Sequence, residues 1–439
     1  MTEIRIREYD LEVRVYPSEG LLRGKAIIRF ENPIATSLSF LLNKGLKVKE
    51  VRIGEEPAAF KQNMVRFRDI EGLEVNLVKL ESKSFSQHGA RYVVSIIYEG
   101  RIEPYTDVFL YVKDRISKEF SIIRLDAYSY PILGVPEFSK LIRMILSQSF
   151  KYELEVYVDE PYVVANIGRL VERKNLDGGV VFKYVSKAPS WRIDIAIAHY
   201  EIRYDRDKDI RVFAFREDVG HAERLLHETK RCLEFYREKF GPPPRWCGYT
   251  IIEIPSTWGS QADVCGMLLM RDSFVDKGAV GGLYHELANL WNVRTREEVP
   301  SRFLDEAFAS YFQILAEESL QGAVLEDKLE KAKNILIDMH KKNRSIADIP
   351  PCQYGKHGLT DAMYFVGVWI LHKLRQAIGD KCFEELIREF ISRYGDEGAT
   401  LEDFARTAKS VCGRKVGNIL DDWLFSAKGI KELLGQIDS

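Results

Sequence analysis

The residues best suited to chemistry lie in one stretch, YHELANLWNVRTREEVPSRFLDEAFASYF, running from Tyr284 to Phe312. On a helix, residues four apart share a face. A His-Glu-x-x-His segment therefore aims two imidazoles at one zinc ion, and the glutamate between them serves as general base. Here the segment reads His285-Glu286-Leu287-Ala288-Asn289, with a carboxamide where the second imidazole would stand. A third ligand must come from elsewhere, and Glu306, in FLDEAFASYF, is the candidate; the same glutamate also suits the first turn of a helix, where the helix dipole favours an acid. The His-Glu pair alone carries little information. The chain has eight histidines, and a second pair, His227-Glu228, has no ligating residue at the required spacing.

Those residues need elements to position them. Up to about residue 205 apolar residues recur with period two, as in Tyr9, Leu11, Val13 and Val15, then Tyr152, Leu154, Val156 and Val158, then Trp191, Ile193, Ile195 and Ile197. This is the pattern of half-buried strands in an antiparallel sheet. A strand, IRVFAF, follows, and then a segment whose Ala222, Leu225, Leu226, Leu233, Tyr236 and Phe240 keep helical spacing up to Gly241 and three prolines, where a helix must stop. YTIIEI and GMLLM read as two further strands, and beyond about residue 276 the pattern is helical.

Composition narrows the function classes. With 439 residues, 46% of them hydrophobic, the chain fills two or three cores. A net charge of -2 from interspersed acids and bases offers no basic stripe for a phosphate backbone, which argues against nucleic acid as a partner. No apolar run approaches the roughly 20 residues that cross a bilayer, and the N-terminus is charged and alternating, unlike a signal peptide, so no membrane partner and a cytoplasmic location are expected. Cys232, Cys247, Cys265, Cys352, Cys382 and Cys412 are scattered, with no short-spaced pair, and read as reduced, mostly buried thiols.

Taken with its surroundings, the Tyr284 to Phe312 stretch resembles the zinc-site region of the membrane-alanyl-aminopeptidase family, the gluzincins that include leukotriene hydrolase. LDEAFASYF echoes the family's glutamate-bearing run, although the sixteen residues between Asn289 and Glu306 make a connection two residues shorter than the family's. Flanking segments keep the family's order. WRIDIAIAHYEIRYDRDKDIRVFAF resembles the junction of its first two domains, YREKFGPPPRW the turn before its substrate strand, and LDDWLFSAKGI the close of its catalytic domain. The resemblance implies an α+β multidomain fold: an antiparallel β-saddle domain over 1–205, then a thermolysin-like α/β and helical domain over 206–439, as in a short member lacking the large C-terminal helical domain of many relatives.

Carried over residue by residue, the resemblance makes His285 the first zinc ligand, Asn289 the second-ligand position, Glu306 the third ligand and Glu286 the general base. SQADVCGM aligns with the family's amine-recognition strand, which puts Asp263 at the amine-binding glutamate and matches Gly266; on the residues alone, Asp263 reads more readily as an exposed turn residue than as an amine clamp. Tyr364-Phe365-Val366-Gly367 aligns with the run whose tyrosine stabilises the oxyanion, although Tyr364 in YFVGVWIL also suits a packed core. His357, in a glycine-bounded loop, is a remote stand-in for the missing ligand.

Asn289 decides the functional expectation. A neutral amide is a poor zinc ligand in a three-ligand site, and even losses among the groups that support ligands weaken metal binding by about 10- to 100-fold, so zinc is the only implied cofactor and its occupancy is expected to be low. Without it an attacking water keeps a pKa of about 15.7 instead of about 7, or about 12 kcal/mol of lost stabilisation. General base catalysis by Glu286 contributes only roughly 3 to 5 kcal/mol. The expectation is an inactive or impaired aminopeptidase relative that binds a peptide or protein partner. The competing expectation is an active zinc aminopeptidase with an unusual His285, Asn289, Glu306 ligand set.

Overall fold

The alternation of Tyr9, Leu11, Val13 and Val15 becomes the strand Ile6–Tyr16 in the computed structural model of the chain, which describes residues 4–30, 37–81, 92–276, 280–413 and 415–435. All four side chains are buried on one face, and burying each such apolar side chain stabilises by about 1.5–3 kcal/mol. The strand lies inside an eight-stranded sheet, antiparallel to Leu21–Phe30 on one side. On the other side it runs parallel to Lys151–Val158, pairing Tyr9 with Tyr152, Leu11 with Leu154 and Val13 with Val156. The sheet is therefore mixed where alternation alone suggested antiparallel pairing throughout, because period two fixes which face is buried and is silent about strand direction.

By contact density the chain divides into two units, Met1–Glu223 with Cys247–Val275 and Arg224–Trp246 with Asp276–Ser439. The first holds the eight-stranded sheet, sheets of four and three strands, and a five-stranded sheet. In this last sheet Ile210–Phe215, Tyr249–Ile254 and Gly266–Met270 run parallel, and Gln261–Asp263 folds back antiparallel on the Gly266–Met270 edge. Every residue of Tyr249–Ile254 is buried, the signature of a parallel strand covered on both faces.

The second unit is helical. The helix Val219–Phe240, most of which belongs to it, ends at Gly241, whose φ of 81° takes the left-handed cap that suits glycine. Val280–Ala288, Phe308–Gln321, Leu325–Lys342, Met363–Tyr394 and Leu401–Cys412 follow. Their core is aromatic: Phe308, Phe390 and Phe404 meet edge-on or tilted, and Trp291, fully buried, donates its indole N–H to the carbonyl of Gly241 at 2.9 Å. A capping box at Thr400 and Asp403 starts Leu401–Cys412.

The cysteines depart from expectation. Cys247 is bonded to Cys265 and Cys382 to Cys412, leaving Cys232 buried and Cys352 half-buried as free thiols. Separations of 18 and 30 residues gave no short-spacing signal, and only the folded backbone brings each pair within a 5.7–6.0 Å Cα separation. Among the described residues no helix is long and apolar enough to cross a membrane.

Candidate metal-site remnant

Helix Val280–Ala288 carries His285 and Glu286 and is fixed on its apolar side by the buried Leu283, Tyr284 and Leu287. Gly281 lets it lie close to helix Phe308–Gln321, since a Cβ there would fall 2.2 Å from a carboxylate oxygen of Glu317. Its rotation is set by Tyr284. The phenol donates to Glu228 at 2.6 Å, and the Tyr284 carbonyl accepts from Tyr236 at 3.0 Å.

The α-helix ends at Ala288, and Asn289 opens a short 3₁₀ turn, Asn289–Trp291, anchored by the buried Trp291. Its amide is engaged at both ends. The Asn289 N–H donates to Glu286 Oε2 at 3.1 Å, and the Asn289 oxygen, its one ligating atom, accepts from Asn292.

Glu306 sits in a π-helical turn, Phe303–Ala307, entered from Arg302 in the left-handed region at φ 70°. Such turns mark functional positions in many helices. One oxygen of Glu306 lies 3.1 Å from His285 Nε2, and the other accepts from the Arg302 guanidinium, which also binds Asp305 at 2.6 Å. Helix Met363–Tyr394 brings Tyr364 near the same carboxylate, close enough for each group to shift the other's pKa. Gly367 makes this approach possible, because a Cβ there would fall 2.0 Å from Ala307 Cβ. The His285 and Tyr364 rings stack at 5.9 Å.

The electrostatics follow from that packing. Burial disfavours the charged form of His285, but the hydrogen bond to Glu306 and the charges of Glu286 and Glu306 outweigh it and raise its pKa. Burial by itself would push Glu306 up, and His285 and Arg302 reverse this, holding it below the usual carboxylate range. Tyr364 is raised by burial and then by Glu306, so it stays protonated.

The second unit therefore brings together His285, Glu286, Asn289, Glu306 and Tyr364. His357 ends the turn Pro351–His357 with its side chain exposed. Asp263 and Gly266 belong to the first unit. There Asp263 is half-buried, not an exposed turn residue. Its carboxylate accepts from Ser190 and from the Val264 N–H at 2.7 Å, and burial pushes it up to about 6. Gly266 admits the neighbouring strand, since a Cβ would lie 2.2 Å from the Thr250 carbonyl. Sequence reasoning passed over Arg302 and Asn292. Arg302 was visible as a base four residues before Glu306, a spacing that pairs charges on one helical face.

Do these residues fit zinc? Two ligands on one tetrahedral zinc stand roughly 3.4 Å apart, and the 3.1 Å between His285 and Glu306 comes near that. The remaining features do not fit. Among the described residues no three His, Cys, Asp or Glu side chains cluster to hold a metal, the Asn289 oxygen faces Asn292, and Arg302 holds the second oxygen of Glu306. As the side chains stand, His285 and Glu306 alone of the five present ligating atoms to a common point.

Comparison with known proteins places this arrangement. Residues 224–423 match the peptidase family M1 domain, a stretch that contains all five of the clustered residues. The probable aminopeptidase 2 of Sulfurisphaera tokodaii is 22% identical over 401 residues, covering 81% of this chain and 49% of that protein, so the chain spans about half the length of this curated relative. The M1 zinc metallopeptidase of Deinococcus radiodurans superposes with a TM-score of 0.68 at 17% identity, over 97% of this chain and 94% of that one. Yeast LTA4 hydrolase superposes at 0.69 and 13% identity, over 97% and 68%. At those identities the superpositions speak for the fold, and they bear out the α+β architecture of an N-terminal β domain followed by a helical one. Residues 224–423 thus carry a peptidase family M1 domain, and the aminopeptidase relative and the shared fold make the chain similar to the membrane-alanyl-aminopeptidase-like gluzincins.

Proposed function

We propose that this gluzincin no longer hydrolyses peptides at an enzyme's rate and works instead by binding a peptide or protein partner. One observation carries the reading: the Asn289 amide is used up between Glu286 and Asn292, so the second-ligand position offers no free donor to a cation. Turning the amide round would point its oxygen at the Glu286 carboxylate, which is repulsive, so the alternative orientation is no better. Glu286 and Tyr364 can still move or hold a proton. Alone they contribute a few kcal/mol each against the about 12 kcal/mol lost with the metal.

The partner class follows from the family. The Deinococcus enzyme is described in complex with a Tyr-Ser-Ala substrate, and a peptide N-terminus is the corresponding ligand here, with Asp263 as the amine acceptor and Gly266 beside it. A second reading, an active aminopeptidase using His285, Asn289 and Glu306, draws on the 3.1 Å His285–Glu306 spacing. Assays of the full chain on aminoacyl fluorogenic amides, with and without chelator, separate the two. The expected result is no chelator-sensitive turnover, with retained binding of a labelled tripeptide that Asp263→Ala weakens. Chelator-sensitive turnover supports the second reading.

A further inference from the structure

We propose that Arg302 is a built-in cation that has taken over the metal's charge at Glu306, so that a histidine restored at position 289 does not by itself restore a zinc site. The inference rests on the reading of the metal position as degenerate and adds to it a second barrier, outside the three ligand positions.

Three observations carry it. The guanidinium is forked across two carboxylates, Asp305 at 2.6 Å through Nε and Glu306 through a terminal nitrogen. The other oxygen of Glu306 lies 3.1 Å from His285 Nε2, so each of its oxygens has a protein partner. The Arg302 backbone adopts a left-handed φ of 70°, a conformation that costs a non-glycine residue and places its side chain back over the π-helical turn.

An ordinary i,i+4 surface pair accounts for less. Such a pair leaves its carboxylate free to turn to water and contributes little. Here the Glu306 side chain is only 12% exposed and is fixed at both oxygens. A divalent ion entering beside His285 would have to displace a hydrogen-bonded guanidinium from Glu306 or accept a positive charge within a few ångströms. Either reduces its affinity, because charges so close in a partly buried site are weakly screened.

The test uses the full chain and zinc alone. Wild type, Asn289→His, Asn289→His/Arg302→Gln and Asn289→His/Arg302→Gly are stripped of metal and titrated with zinc against a chromophoric competitor, with far-UV circular dichroism as the check on folding. Arg302→Gly suits the left-handed backbone and serves if Arg302→Gln does not fold. Each double variant should bind one zinc per chain at least about tenfold more tightly than Asn289→His, the effect typical of a group that acts on a ligand. A ratio near one between single and double variants overturns the role of Arg302, whatever the wild type holds. One zinc per chain in the wild type instead overturns the reading of a degenerate position.

Discussion

At Glu306 each oxygen has a protein partner, and at Asn289 both ends of the amide do. This residue-level wiring is sensitive to small displacements. Gly367→Ala places a methyl 2.0 Å from Ala307 Cβ and 2.9 Å from its Cα, which only a shift of the helix or the turn relieves. Overpacking of this kind costs typically about 1–3 kcal/mol, so the urea midpoint of Gly367→Ala should fall well below that of the wild type. An unchanged midpoint would show that the approach at Tyr364 is loose. At this scale the sequence was legible where residue type and order sufficed, as for His285, Glu286, Asn289 and Tyr364. It was less so for Arg302, whose relevance depends on a left-handed backbone that no local pattern announced.

Among the elements, the buried strand Tyr249–Ile254 carries a carboxyl of its own. Glu253 is fully buried, accepts from the Phe215 N–H at 2.7 Å, and is pushed up to about 9 by burial and then by the neighbouring Asp218. A raised acid binds its proton more tightly in the folded state. Its contribution is complete below the ordinary value of 4.5 and is lost as pH rises towards about 9. Glu253→Gln removes that ionisation while keeping an acceptor for Phe215. Its stability should match the wild type near pH 5 and exceed it increasingly towards pH 9, by about 1 kcal/mol or more, or about 2–4 °C in Tm. A constant difference across that range would place the pH dependence elsewhere. Elements were the most readable scale: the helix stop at Gly241 and the buried faces of the strands follow from spacing. Strand direction does not, and the parallel pairing of Ile6–Tyr16 with Lys151–Val158 had to come from the structure.

For the whole molecule, the two crosslinks are what sequence spacing hid, since each joins residues that only the completed fold brings near. Thiol titration of protein denatured without reductant should report two free cysteines, Cys232 and Cys352, and six after reduction. Six without reduction would return all of them to the thiol form. In the loop-entropy view each bond closing a loop of this size stabilises by about 3 kcal/mol, so reduction should lower the unfolding midpoint measurably. Whether the position at Asn289 holds a metal is decided by the zinc content of the wild-type chain, expressed with zinc and dialysed without chelator. Far less than one zinc per chain is expected. One tightly held zinc per chain, lost in an Asn289→Ala variant that stays folded, would contradict that expectation.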